Sequence, residues 1–158
     1  MYRGSERLRA FGVPPLLWAG LVLVAAGCGV AGGDDETWTE EERESVSGFI
    51  SGLEELRNGL SVLNQSAPGS LSAEERERAL EHLRRAREQT AAVGESVLAK
   101  IHPELPVQVR ARLLNGLDDR IFGLEDGRPS RFFWGTSRLN EWAEWYDRTR
   151  SSWNLPRR

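Results

Sequence analysis

Apolar residues recur along this chain at intervals of three and four, and no stretch alternates with period two for long enough to make a strand. The clearest seam is Val46, Phe49, Leu53, Leu56, Leu60 and Leu63, an unbroken heptad spacing that predicts a helix over 38–64. Thr37 with Glu40 and Thr39 with Glu42 each offer a capping box at its start. Ser45, Gly52 and Gly59 share one heptad position beside the seam. That thin ridge allows close approach of a neighbouring helix, or alternatively a ligand crevice.

Pro68-Gly69 marks a turn, and Ser72 with Glu75 caps a second helix over 72–101. Its seam runs through Ala79, Leu83, Ala86, Thr90, Val93 and Val97, and His102-Pro103 ends it. Glu74–Arg78, Glu81–Arg85 and Arg84–Glu88 sit at helical spacing on its solvated face. A third helix over 105–124 carries Val109, Leu113, Leu117, Ile121 and Leu124, with Leu114 and Phe122 widening the stripe. Gly127 and Pro129 stop it. A fourth, over 136–154, carries Leu139, Trp142, Tyr146, Thr149 and Trp153. Four amphipathic helices with short connections predict an all-α domain over 37–158, an antiparallel up-and-down bundle. The same heptad seams would serve a homodimer equally well.

The first 30 residues follow a different pattern. Arg3, Arg7 and Arg9 make a basic start, and no charge appears between Phe11 and Val30. The dense apolar run from Pro14 to Ala26 suits the core of a signal peptide, since a membrane-spanning helix needs roughly 20 residues. Small residues close it as Ala25-Ala26-Gly27-Cys28, and Cys28 is the single cysteine of the chain. This segment resembles the lipobox of bacterial lipoproteins. The resemblance implies a signal peptide over 1–27 that is removed, diacylation of the Cys28 sulfur, and acylation of the new N-terminus. Residues 28–36 then read as the lipidated cysteine and a flexible tether. Gly29 after the cysteine points, by enteric sorting rules, to the periplasmic side of the outer membrane. Ordinary cleavage near Ala26, and an uncleaved anchor over 11–30, are the competing readings.

Composition narrows the chemistry. The 158 residues are 39% hydrophobic and 28% charged with a net charge of −3, which fits one globular domain and excludes a basic nucleic-acid binder. One cysteine and two histidines leave no thiolate or multi-histidine metal site, and the residues three before His82 and His102 are Ala79 and Ala99, so the Glu-x-x-His motif of di-iron bundles is missing. His82 reads as a surface histidine and His102 as a helix-end residue. Asp118-Asp119 and the other paired acids read as parts of charged faces. No phosphate-cradling loop or Gly-x-Ser-x-Gly occurs, so neither a cofactor nor an enzyme is expected.

The unusual segment is the last third. Seven aromatics fall between Phe132 and Trp153, and residues 128–158 carry a net +4, against −7 for residues 34–57. Trp142, Tyr146 and Trp153 fit a core stripe, whereas Trp145 and Phe132–Trp134 do not. Arg131, Phe132, Phe133, Trp134, Trp145 and Arg148 are therefore the candidate surface for a partner or a membrane. Such a surface suits anionic head groups, sugar stacking or a protein partner, whose hot spots are enriched in Trp and Arg. The expectation is a lipid-anchored envelope protein that works by binding, an adaptor for an envelope protein partner. The alternative is a periplasmic chaperone-like or ligand-binding sensor lipoprotein.

Overall fold

The structure is a computed structural model and describes residues 38–65 and 71–156. These residues form five helices and no strand. The segments assigned above to the signal peptide, to Cys28 and its tether, and to the Pro68-Gly69 turn lie outside the described residues.

Helix α1 spans Glu40–Gln65. Of the two possible caps, Thr39 forms one: its Oγ1 accepts from the Glu42 amide at 3.2 Å, and its own amide donates to Glu42 Oε2 at 2.8 Å. Thr37 lies outside the described residues. Helix α2 spans Ala73–Ala91 and opens on the expected Ser72–Glu75 capping box. All six predicted seam residues of α1 are buried, as are Ala79, Leu83, Ala86 and Thr90 of α2.

The single helix expected over 72–101 is two. Gly94 adopts an extended conformation (φ −64°, ψ 146°) and serves as the N-cap of α3, Glu95–Ile101. Glycine is a poor helix former, so a break there is inexpensive, and beyond it Val97, Leu98 and Ile101 are all buried. His102 ends α3 as expected. Helix α4 covers 105–125 as Leu105–Gln108, a wider π turn over Val109–Leu114, and Asn115–Glu125. Its five seam residues are buried, but Phe122 is exposed rather than widening the stripe.

Helix α5 spans Pro129–Thr149, followed by a 3-10 turn over Arg150–Ser152, so it begins seven residues before the expected 136. Gly127, at φ +62°, performs the reversal alone. Pro129 starts the next helix, where its missing N–H costs nothing, instead of prolonging the stop. Phe132, Phe133 and Trp134 therefore stand on the first turns of α5.

Glycines set how closely the helices approach. A Cβ on Gly52 would lie 2.9 Å from Thr90 Oγ1, and one on Gly59 3.1 Å from Leu83, so the small-residue ridge of α1 is where α2 crosses. The pairing of 52 with 90 and 59 with 83 makes α1 and α2 antiparallel. Gly116 against Leu139 and Gly123 against Phe132 make α4 and α5 antiparallel too. Between these hairpins Arg84 holds Glu125 at 2.6 Å and Arg87 holds Asp118 at 2.7 Å. Arg84 thus pairs across helices, and with Glu77 at 3.5 Å, whereas Glu81–Arg85 forms as expected.

Where the chain enters α1, aromatic rings fill the core. Trp142 lies 5.4 Å from Trp145, Tyr146 5.1 Å from Trp153, and Trp153 6.0 Å from Phe49. Trp38 is buried beside them under the Lys100 ammonium, and Lys100 also binds Glu42 at 2.7 Å. Asn154 closes this end by donating its amide to Ile101 O at 2.9 Å.

Candidate functional site

Four of the six candidate surface residues meet at the turn between α4 and α5. Phe133 and Trp134 are 66% and 60% exposed, and Phe122 of α4 adds a third open ring at 49%. Phe132 is half-buried against the core and meets Phe133 edge-on at 6.2 Å. Arg131 is exposed and reaches back to Asp119 at 2.8 Å. Arg128, also exposed, lies 3.8 Å from Asp126. The turn thus carries three aromatic rings with guanidinium groups around them.

Beneath this patch lies a polar layer that the sequence pattern does not reveal. Asp119 is buried and accepts from both Arg131 and Arg138. Arg120 is buried as well, with its guanidinium 3.9 Å over the Phe132 ring and a hydrogen bond to Thr136 Oγ1. Among the described residues its Nε has no partner, and no carboxylate is paired with its guanidinium. Burial pushes the Arg120 guanidinium down to about 10. Reading Asp118-Asp119 as one charged face holds for Asp118 only. The adjacent residue points 100° round the helix, into the crossing with α5. That crossing is set by Gly135, whose absent Cβ would lie 2.7 Å from the Arg120 amide.

Trp145 does not belong to the surface. It is only 4% exposed, donates its indole N–H to Glu104 Oε2 at 3.2 Å, and meets the His102 ring at 5.5 Å. The aromatic cluster where the chain enters α1 is broad enough to need a ring beside the Trp142–Tyr146 stripe as well as on it. Arg148 is exposed but far away, since fourteen helical residues separate it from Trp134, about 21 Å of rise. Cys28 lies outside the described residues. Phe122 was missed because it sits one residue beyond a seam position, where the pattern counts it as core.

A second feature lies on the other hairpin. Glu41, Glu44, Ser45 and Gly48 of α1 face Gln89 of α2, with Ala92 and Val93 after it, across an open groove of about 250 Å³. Glu41 and Glu44 are exposed, and the Gln89 side-chain oxygen is shut off from solvent without a hydrogen-bond donor. A Cβ on Gly48 would touch nothing within 4 Å, so α2 does not cover α1 at this position beside the ridge. His82 is hydrogen-bonded to Glu55 at 2.6 Å and half-buried.

Among the described residues no group of three or more His, Cys, Asp or Glu could hold a metal ion, and no helix is long and apolar enough to cross a membrane. No protein family, curated protein or solved structure matches this chain.

Proposed function

We propose that this chain is a lipid-anchored cell-envelope protein, an up-and-down helical bundle behind a signal peptide, that acts by binding a protein partner. The observation that carries this reading is the open patch of Phe122, Phe133 and Trp134 with Arg128 and Arg131 around it. Exposed aromatics flanked by arginine have the composition of an interface core, and soluble surfaces seldom leave such rings grouped without use. The anchor rests on the pattern of residues 1–28, with lipid on Cys28 holding the domain at the periplasmic side of the outer membrane.

The relative position of tether and patch favours a protein over lipid head groups. The chain enters the domain at Trp38, beside the Trp153 end of α5, and the patch is at the opposite end of that helix. Twenty-one residues of α5 put about 30 Å between the two. A domain tethered at its Trp38 end carries the patch at the end far from the anchor, within reach of a partner in the compartment.

In-cell crosslinking of the full-length protein, read by mass spectrometry beside Cys28→Ser and a Phe133→Ser/Trp134→Ser double variant, tests this. One dominant envelope partner, lost in both variants, is the expected result. The groove along α1 favours the second reading, a chaperone-like or ligand-binding lipoprotein. Many weak clients that persist in the double variant would replace the first reading with that one.

A further inference from the structure

The patch and the groove complement each other in shape, polarity and charge. The patch projects large rings beside arginines; the groove is a concavity with apolar residues between two exposed glutamates. At about 250 Å³ the groove is smaller than the roughly 300–1,000 Å³ of a typical small-molecule site, and suits one inserted side chain. Gln89 forms part of its wall. Indoles that are buried usually find a partner for the N–H, and the exposed Glu41 and Glu44 carboxylates of the groove are acceptors. Glu41 and Glu44 belong to the acidic region of the chain, while Arg128 and Arg131 belong to the basic one. The groove is built by α1, α2 and the residues just after α2, the patch by α4 and α5, so the two surfaces do not overlap.

We propose that the occupant of the groove is a second copy of this chain, whose Trp134 inserts between Glu41, Glu44 and Gln89 in a head-to-tail contact. Such a contact uses two different surfaces and leaves one patch and one groove free on every dimer. It therefore propagates into a row of copies, or closes into a ring, and does not stop at a two-fold dimer. The arginines beside the inserted ring face the glutamates of the next copy, so the association weakens with salt. This proposal uses the same patch as the function proposed above and does not depend on the lipid anchor; a monomeric wild type that still captures an envelope partner would overturn it and leave that function standing.

Sedimentation equilibrium of the full chain in density-matched detergent tests it. The weight-average mass should rise with concentration and fall with added salt. Trp134→Ala removes the inserting ring, and Gly48→Trp fills the groove at a position where a side chain meets nothing. Each variant alone should stay monomeric, with association weakened at least about tenfold. An equimolar mixture of the two should form dimers and nothing larger, because only one intact patch and one intact groove then meet. Glu44→Lys, at the exposed groove rim, should weaken association without filling the groove, and a single cooperative thermal transition would show that each variant is folded. A wild-type chain that stays monomeric overturns the proposal. So does Gly48→Trp that associates like wild type, which would mean a patch-to-patch dimer. A mixture that remains monomeric does the same.

Discussion

Arg120 and Asp119 are neighbours with opposite accounts. Asp119 is held by two half-exposed arginines, whereas Arg120 has, among the described residues, a ring, one hydroxyl and no carboxylate. Replacing Arg120 by Met should raise stability by about 1 kcal/mol at neutral pH, because a buried charge without a counter-ion is removed and the methionine keeps the packing. Burial lowers the Arg120 value in the folded chain to about 10, below its unfolded one, so the unfolded chain holds the proton more tightly above that pH. Wild-type stability recovers as pH rises past about 10, and the advantage of the variant should shrink there. Asp119→Ala should cost about 2 kcal/mol, less than a fully buried pair because Arg131 and Arg138 can turn to water. Denaturant unfolding of the three proteins checks both signs.

Glu42 supplies a second test at this scale. Its carboxyl is held below the ordinary 4.5 by the Lys100 ammonium, with the Thr39 amide assisting. A depressed acid stabilises the fold above its unfolded value and stops doing so as pH falls through its folded one. The gap in thermal midpoint between wild type and Glu42→Gln should therefore be present at neutral pH and close as the solution is acidified below 4.5.

At the scale of elements, glycines separate close crossings from open faces. A Cβ on Gly123 would lie 2.5 Å from the Phe132 amide nitrogen and 2.7 Å from its Cα, both backbone atoms that cannot give way cheaply. Gly123→Ala should destabilise by about 2–3 kcal/mol or displace the α4–α5 hairpin. Gly48→Ala, in open space on a helix, should stabilise by up to about 1 kcal/mol through helix propensity alone. Thermal midpoints moving in opposite directions would confirm that one glycine is a crossing and the other is not. The sequence pattern identified the ridge Ser45, Gly52, Gly59 and favoured a close approach there, because heptad phase alone aligns the three. It did not distinguish Gly123 and Gly135 from ordinary turn or surface glycines, since what crowds them comes from another helix, nine or more residues away.

For the whole molecule, exposure divides the tryptophans. Trp38, Trp142, Trp145 and Trp153 are buried in one cluster, while Trp134 is open. In the chain without residues 1–27, which carry Trp18, acrylamide should quench a single accessible component among these five, and Trp134→Phe should remove that component without moving the thermal midpoint. The buried cluster should become quenchable only when the fold melts, in one transition shared by both hairpins, because α2 and α4 pack on each other with buried faces. A second, earlier transition would mean that the hairpins have separate cores.

Periodicity determined the all-helical class, the seams of α1, α2 and α4, and two of the caps, because those depend on residues within one or two turns of each other. Local chemistry also marked Phe133, Trp134 and Arg131 as a surface. Only tertiary packing decided that Trp145 belongs to the core, that Phe122 joins the open patch, and that Asp119 is buried while Asp118 is not. It also decided where α5 begins, since Pro129 can end one helix or start the next, and the fit of Phe132 against Gly123 and Arg120 selects the start. A side chain's exposure is fixed by what crosses over it, and the residues that cross over Trp145 and Asp119 lie on other helices.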